Sequence, residues 1–429
     1  MNPTLAIDTP DRELPTDAVA HRAGLHERLV RRLLRRMRRG GLRLVLPDGQ
    51  AEHFGDAAAP ATAEVRVRRP DDFFRRCVMH GNIGLGEAYT AGDWDTDDIA
   101  AVISWFIVNL HDLQGSQASS SRLPGLNLLR WTDRVLHLLR PNSVRMSRRN
   151  IAEHYDLGND FYSLWLDATM TYSAARFEHP EQSLEDAQFS KYEALCQKLQ
   201  LQPGDQVLEI GCGWGGFCTH AAREHGCRVT AVTISQEQFD FARERVRREG
   251  LEHLVEIRLQ DYRHIEGQFD KIASIEMLEA VGDAYVDGFF AQCQRLLKPQ
   301  GLLAFQVITA PDCRYAALCR GVDWIQKHIF PGSLLLSMDR INRAINRGGD
   351  LFLHGLEDLG SGYARTLSLW HKRFNARLDE VRSLGFDETF IRKWNYYLKY
   401  CEAAFATRNI SVVQAVYTRP NNASLHRPW

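Results

Sequence analysis

Apolar residues follow two rhythms along this chain, and the change between them divides it. Near the start they recur at Leu25, Leu29, Val30, Leu33, Leu34 and Met37, the three-to-four spacing of one helix face. The surface between them carries Arg28, Arg31, Arg32, Arg35, Arg36, Arg38 and Arg39, so the pattern predicts a strongly basic amphipathic helix ended by Gly40 and Gly41. Residues 42–46 then read as a strand, Pro47, Asp48 and Gly49 as a turn, and 64–68 as the partner strand. Residues 71–80 have helical spacing, and GLGEAYTAGDWD opens as a glycine-rich turn whose acids cap an apolar helix over 97–110. Together 21–114 form a small α/β domain. The segment GSQASSSR has linker composition and opens a connecting stretch over 115–149.

From about residue 150 the second rhythm takes over. Short continuous apolar runs at 207–210, 228–234, 255–259, 269–275, 301–308, 351–356 and 412–417 read as strands, most of them buried on both faces. Helices are expected over 363–377 and 389–407. Residues 310–347 delay the strand at 351 far beyond a usual connection, and long insertions of this kind cover active sites. Ahead of the first strand, Tyr155, Phe161, Tyr162, Trp165 and Tyr172 are either plain core or the walls of an apolar pocket over the strand ends.

The segment VLEIGCGWGGF organises this half. Val207, Leu208 and Ile210 suit a buried parallel strand, and Gly211, Gly213, Gly215 and Gly216 let the backbone turn tightly beside a ligand before a helix begins. A dinucleotide fold also uses glycines here, but Glu209 before the glycines and bulky Trp214 within the turn favour a methyltransferase over a diphosphate cradle. The second strand ends in Thr233, Ser235 and Gln236 rather than a ribose-binding acid. The third ends in Gln260, Asp261 and Tyr262, and the fourth in Glu276, so polar groups sit at successive strand C-termini where open α/β sheets bind ligands.

Composition narrows the picture. With 429 residues, 44% hydrophobic and 25% charged, the chain has room for two soluble domains, and a net charge of −1 gives no global field for nucleic acid. No apolar run reaches the roughly 18–20 residues needed to span a bilayer, and the N-terminus lacks a secretory pattern, so a cytoplasmic protein is expected. The first 20 residues are polar, with three prolines, and read as a disordered tail. Nine cysteines without a CxxC pair or a Cys/His cluster read as reduced thiols, with no metal site expected. The arginine face of the first helix is open to two readings, a solvated face on its own domain or adhesion to an anionic membrane surface.

The segments EHYDLGNDFYSLWLD, MTYS, VLEIGCGWGGF, VTISQEQ, QDYR, IEMLEAVG, DWIQKHIFPG, EDLGSGYARTLSLW and RKWNYYLKYCEAAF resemble the cyclopropane fatty acid synthase family, and GLRLVLPDG with AYTAGDWD resembles its N-terminal domain. The resemblance covers nearly the whole chain from about Gly41. It implies a class I S-adenosylmethionine methyltransferase fold, a Rossmann-like seven-stranded sheet with a helical insertion over the site. It also implies methyl transfer to the double bond of an unsaturated phospholipid acyl chain at the inner face of the membrane, and a homodimer. Cofactor contacts are implied from Tyr172, Ser173, Gly211, Gly213, Thr233, Gln238, Asp261 and Tyr262, beside Glu209.

In that family a bicarbonate ion, held by a Cys, a Glu, a His, a Tyr and nearby backbone, accepts the proton. Glu279 matches the Glu and Tyr363 the Tyr, with Ile308 as backbone, whereas Ala174 stands at the Cys position and Gln306 at the His position. Gln306 still has an amide N–H for an anion. Glu279 alone also reads as a surface acid, although its place just past an apolar strand favours a site. The expected product is a cyclopropane ring, with a methylene or methyl branch as the alternative. A small-molecule methyltransferase and a non-catalytic lipid-binding relative remain as other classes.

Overall fold

The computed structural model describes residues 23–115 and 157–425. The expected tail over 1–20, the connecting stretch beyond Gly115 and Tyr155 lie outside the described residues.

The basic helix forms as α1 (Leu25–Leu34), and its apolar stripe turns inward through Val30 and Leu34, with Met37 buried just beyond it. It packs on α2 (Pro70–His80) beside a four-stranded sheet of β1 (Gly41–Val45), β2 (Ala51–Gly55), β3 (Ala61–Val67) and β4 (Trp94–Asp95), ordered β2-β1-β3-β4. The expected partner strand at 64–68 does pair with β1, as part of β3 and in parallel; a second, antiparallel partner, β2, comes between them in sequence. Only Phe54 of β2 is buried, so its sequence, AEHFG, shows no alternation to read.

The expected glycine-rich turn is instead helical, α3 (Asn82–Thr90). Its glycines serve close approach: a Cβ on Gly84 would lie 2.0 Å from the Arg76 carbonyl oxygen, and one on Gly86 would lie 2.5 Å from the Trp324 ring. The apolar helix α4 (Ile99–Gly115) follows.

In the larger half, α5 (Asn159–Ser163) and α6 (Leu184–Leu199) precede β5 (Gln206–Ile210) and α7 (Gly216–His225). The α/β alternation continues with β6 (Arg228–Thr233), α8 (Gln236–Arg248), β7 (Val255–Leu259), β8 (Phe269–Ile275), α9 (Val286–Leu296) and β9 (Leu297–Thr309). The insertion forms α10 (Asp312–Leu318), α11 (Trp324–His328) and α12 (Met338–Gly348). After it come β10 (Phe352–Asp358), α13 (Gly360–Asn375), α14 (Leu378–Ser383), α15 (Glu388–Ala406) and β11 (Ser411–Thr418). The seven strands are ordered β10-β11-β9-β8-β5-β6-β7, with β11 antiparallel to both neighbours. The chain winds outward from β5 to β7 on one side and through β8 and β9 on the other, so strand order reverses beside β5, where a doubly wound sheet opens its binding crevice.

Helix α15 packs against α3, α4 and α13, joining the halves around one aromatic core. Phe161, Tyr162 and Trp165 belong to that core, Phe161 and Trp165 edge-on to Trp394 and Trp370 and Tyr162 tilted against Trp214, and are fully buried rather than walling a pocket. No helix among the described residues is long and apolar enough to cross a membrane.

All nine cysteines are free thiols. The fold does gather the Cys/His cluster that the sequence did not show, Cys196, His220 and His225, but both imidazoles hydrogen-bond the Glu193 carboxylate at 3.2 and 3.0 Å.

Candidate active site

One cavity of about 960 Å³ opens over the C-terminal ends of β5, β6, β7 and β8 and continues between α10, α11 and α15 into the small domain. The insertion thus covers the site as its length predicted.

The floor is the turn after β5. Gly211, Gly213 and Gly215 all have left-handed backbone, with φ of 85°, 52° and 83°. A Cβ on Gly211 would lie 2.8 Å from the Met277 side chain, whereas one on Gly213 would meet nothing within 4 Å, so the Gly213 backbone faces open cavity. Glu209 leads into this turn; it is buried, and its Oε2 has no hydrogen-bond partner. Burial pushes its carboxyl up to about 8. A bare glycine backbone beside a buried, unpartnered acceptor fits a ligand that brings its own donors, as the ammonium and hydroxyl groups of S-adenosylmethionine would.

The other residues expected around that cofactor, Tyr172, Ser173, Thr233, Gln238, Asp261 and Tyr262, all line the same cavity. Several are already engaged. Thr233 donates to Gln238 Oε1 at 2.9 Å, the Tyr172 and Tyr397 hydroxyls lie 2.7 Å apart, and Ser173 Oγ accepts from Lys191 Nζ at 2.6 Å. Arg263 forks onto Asp261 at 2.9 and 2.8 Å and, against the upward pull of burial, holds its carboxyl below the usual range. Lys191 was not anticipated from sequence: it is a fully buried lysine on α6, and loss of hydration brings its ammonium down to about 7. A mid-helix lysine flanked by Ser190 and Tyr192 carries no motif that would have found it.

The residues expected at the reacting end lie across the cavity, past β8. Here the structure departs from the expected ion site. Ala174 N and Gln306 Nε2 donate to Glu276 Oε1 at 2.8 and 2.7 Å, and Tyr363 OH donates to Glu276 Oε2 at 2.9 Å. The groups assigned to bicarbonate therefore converge on a carboxylate of the chain itself. Ala174 and Gln306 are fully buried behind it and do not line the cavity. Ile308 N donates to Glu279 Oε1 at 2.6 Å, and Glu279 Oε2 is buried without a partner. A separate bicarbonate does not fit this arrangement, because its donors are taken and it would add a third acid beside two buried carboxyl groups.

The orientation of Gln306 follows from a chain of contacts. Lys198 Nζ has only hydrogens to give and donates to Gln414 Oε1 at 2.5 Å. The Gln414 Nε2 end then donates to Gln306 Oε1 at 3.1 Å, which leaves Gln306 Nε2 to face Glu276.

A family model described as mycolic acid cyclopropane synthetase matches residues 142–415. The chain is 39% identical over 403 residues to a tuberculostearic acid methyltransferase of Mycobacterium tuberculosis, covering 91% of this chain and 90% of that one. It is 38% identical over 362 residues to the cyclopropane-fatty-acyl-phospholipid synthase of Escherichia coli, covering 84% and 88%. Among solved structures, a mycolic acid cyclopropane synthase complexed with SAH and CTAB superposes with a TM-score of 0.59 at 28% identity, over 63% of this chain and 98% of that one. A coclaurine N-methyltransferase, with a TM-score of 0.61 at 21% identity over 79% and 99% of the two chains, shares the class I methyltransferase fold.

Proposed function

This chain belongs to the cyclopropane synthase family of S-adenosylmethionine-dependent methyltransferases, and from that premise we propose that it methylates the double bond of an unsaturated phospholipid acyl chain, giving a cyclopropane ring. S-adenosylmethionine supplies an electrophilic methyl group on sulfur. The single observation that carries the reading is the continuity of the cavity. From the Gly211 turn it runs past Glu276 and Glu279 into the small domain, where Val30, Leu34, Met37 and Phe73 line it. A small polar acceptor needs no such apolar extension, and an acyl chain does.

The residues at the reacting end suit an alkene acceptor. A double bond that takes a methyl group becomes positively charged, and the Tyr172 and Phe330 rings, 6.4 Å apart, offer it aromatic faces. Ala317 and Leu318 of α10 and Ile325 of α11 cover the cavity and limit the water that could capture that charge. Helix α1 supports entry from a membrane: Leu25 and Leu29 are 63% and 37% exposed beside exposed Arg28 and Arg32, and Arg36 lines the cavity. Arg31 and Arg35, by contrast, are paired with Glu52. An anionic phospholipid surface matches this face.

The 39% identity to a tuberculostearic acid methyltransferase favours a second product, a methylene or methyl branch formed after hydride shift. The substrate reading is tested by incubating the purified chain with methyl-labelled S-adenosylmethionine and vesicles of unsaturated phospholipid. Label in the hydrolysed acyl chains supports it, and label confined to head groups or to no lipid contradicts it.

A further inference from the structure

We infer that Glu276 is the proton acceptor of this enzyme, a carboxylate built into the chain at the place where the family resemblance set a bicarbonate ion. The inference rests on the methyl-transfer reading above and adds the residue that ends the reaction.

Geometry carries it. Glu276 follows β8 directly, at a strand end that faces the cavity, and its side chain lines that cavity. Its backbone is left-handed, with φ of 48°, a conformation that costs a residue with a Cβ and is kept where surrounding structure imposes it. The Glu276 amide donates to the Gln306 carbonyl at 2.8 Å, so strand β9 fixes the backbone while the Gln306 side chain fixes the carboxylate. With donors from Ala174, Gln306 and Tyr363, the carboxylate has both oxygens anchored, and Oε2, held by Tyr363 alone, keeps a lone pair free.

Hydrogen bonding decides which carboxyl of the pair is ionised, against a burial that disfavours charge on either. Glu279 has one donor and an unpartnered oxygen, whereas Glu276 has three, so the pair carries one negative charge and Glu276 holds it. Burial raises both carboxyl groups, and the charge on Glu276 helps lift Glu279 to about 8, leaving Glu279 protonated. Lys191, on α6, adds attraction for the ionised form of Glu276. Tyr363, on α13, stays a neutral donor because burial and then Glu276 raise its hydroxyl.

The step balances without a further reagent. The π pair of the alkene forms the new C–C bond to the methyl carbon, the S–C bond breaks, and its pair stays on sulfur. One proton of the added methyl passes to Glu276 Oε2, and the C–H pair closes the ring onto the cationic carbon. In the methylene variant the same carboxylate takes the proton after hydride shift, so the assignment does not depend on the product. An acceptor placed in this way contributes about 10²–10⁴-fold.

The test uses the full chain, labelled S-adenosylmethionine and unsaturated phospholipid vesicles, in carbon-dioxide-free buffer with and without added bicarbonate. Parental turnover is expected to be the same within about twofold in both buffers. E276Q, which keeps the shape of the side chain, is expected to lose at least about 100-fold in kcat while binding S-adenosylmethionine within about threefold by calorimetry. Parental turnover that falls tenfold or more without bicarbonate overturns the inference, as does E276Q turning over at near-parental rate. Parental enzyme that binds the cofactor yet labels no acyl chain in either buffer refutes the substrate reading instead.

Discussion

Glu276 and Glu279 reach one cavity from the same turn, yet Glu276 is held by three donors while Glu279 takes a single hydrogen bond from Ile308 N. The difference makes Glu279 the neutral partner. Its folded-state carboxyl is raised from 4.5 to about 8, so it contributes stability that is present below 4.5 and lost as pH rises through 8. Glu279→Gln keeps the acceptor for Ile308 N and removes the titration. It is expected to unfold close to the parent near pH 4.5 and several degrees above it past pH 8, since about 1 kcal/mol shifts the midpoint by roughly 2–4 °C. Thermal unfolding across that range is the measurement, and equal midpoints at high pH refute the assignment.

Gly211→Val is expected to weaken S-adenosylmethionine binding by at least about tenfold with the fold retained. The added side chain meets Met277 at 2.8 Å, and φ of 85° disfavours a branched residue. Titration calorimetry with circular dichroism as the fold control decides it; parental affinity refutes the cofactor role of this turn.

How much of this was open to sequence depended on how far apart the partners lie. Strands β7 and β8 match their expected spans because apolar runs between polar breaks are local signals. The glycine cradle was legible for the same reason. Glu276 was visible only as a polar strand end. Its role needed Ala174, Gln306 and Tyr363, separated from it by 102, 30 and 87 positions, to be brought together. Ala174 and Gln306 looked like losses from an ion site when read singly. Together they are what a carboxylate in that place requires: a backbone N–H with no side chain in the way, and an uncharged amide donor. The strand β2 and the helix α3 were missed for other reasons, one lacking alternation and the other carrying glycines for close packing rather than for a turn.

Gly86→Ala places a Cβ within 2.5 Å of Trp324 and 2.7 Å of Tyr396, both rigid rings in the contact between the two halves. Overpacking of this kind costs about 1–3 kcal/mol. The variant is expected to unfold at lower temperature and to turn over phospholipid more slowly, with S-adenosylmethionine affinity unchanged within about threefold. Parental stability and turnover refute the tight interdomain contact.

Replacing Arg28, Arg32 and Arg36 with Gln is expected to lower binding to anionic vesicles by roughly 100-fold at low salt, because each basic residue near the surface contributes about 1 kcal/mol. The loss shrinks as salt screens the parent. Replacing Arg31 and Arg35 has a smaller effect, since Glu52 already neutralises that part of the helix. Vesicle sedimentation with both variants checks the face, and equal binding by all three proteins leaves α1 a structural helix only.

The central claim is that a methyl group goes from S-adenosylmethionine onto an acyl double bond and loses a proton to close a ring. Carbon-13 methyl S-adenosylmethionine, unsaturated phospholipid vesicles and the purified chain test it in one proton and carbon NMR spectrum of the extracted lipid. Mass alone does not decide, because a ring and a methylene branch weigh the same. Labelled methylene signals in the upfield cyclopropane region are the expected result. Labelled vinyl signals without an upfield pair contradict ring closure, and the absence of label from acyl chains contradicts the account as a whole.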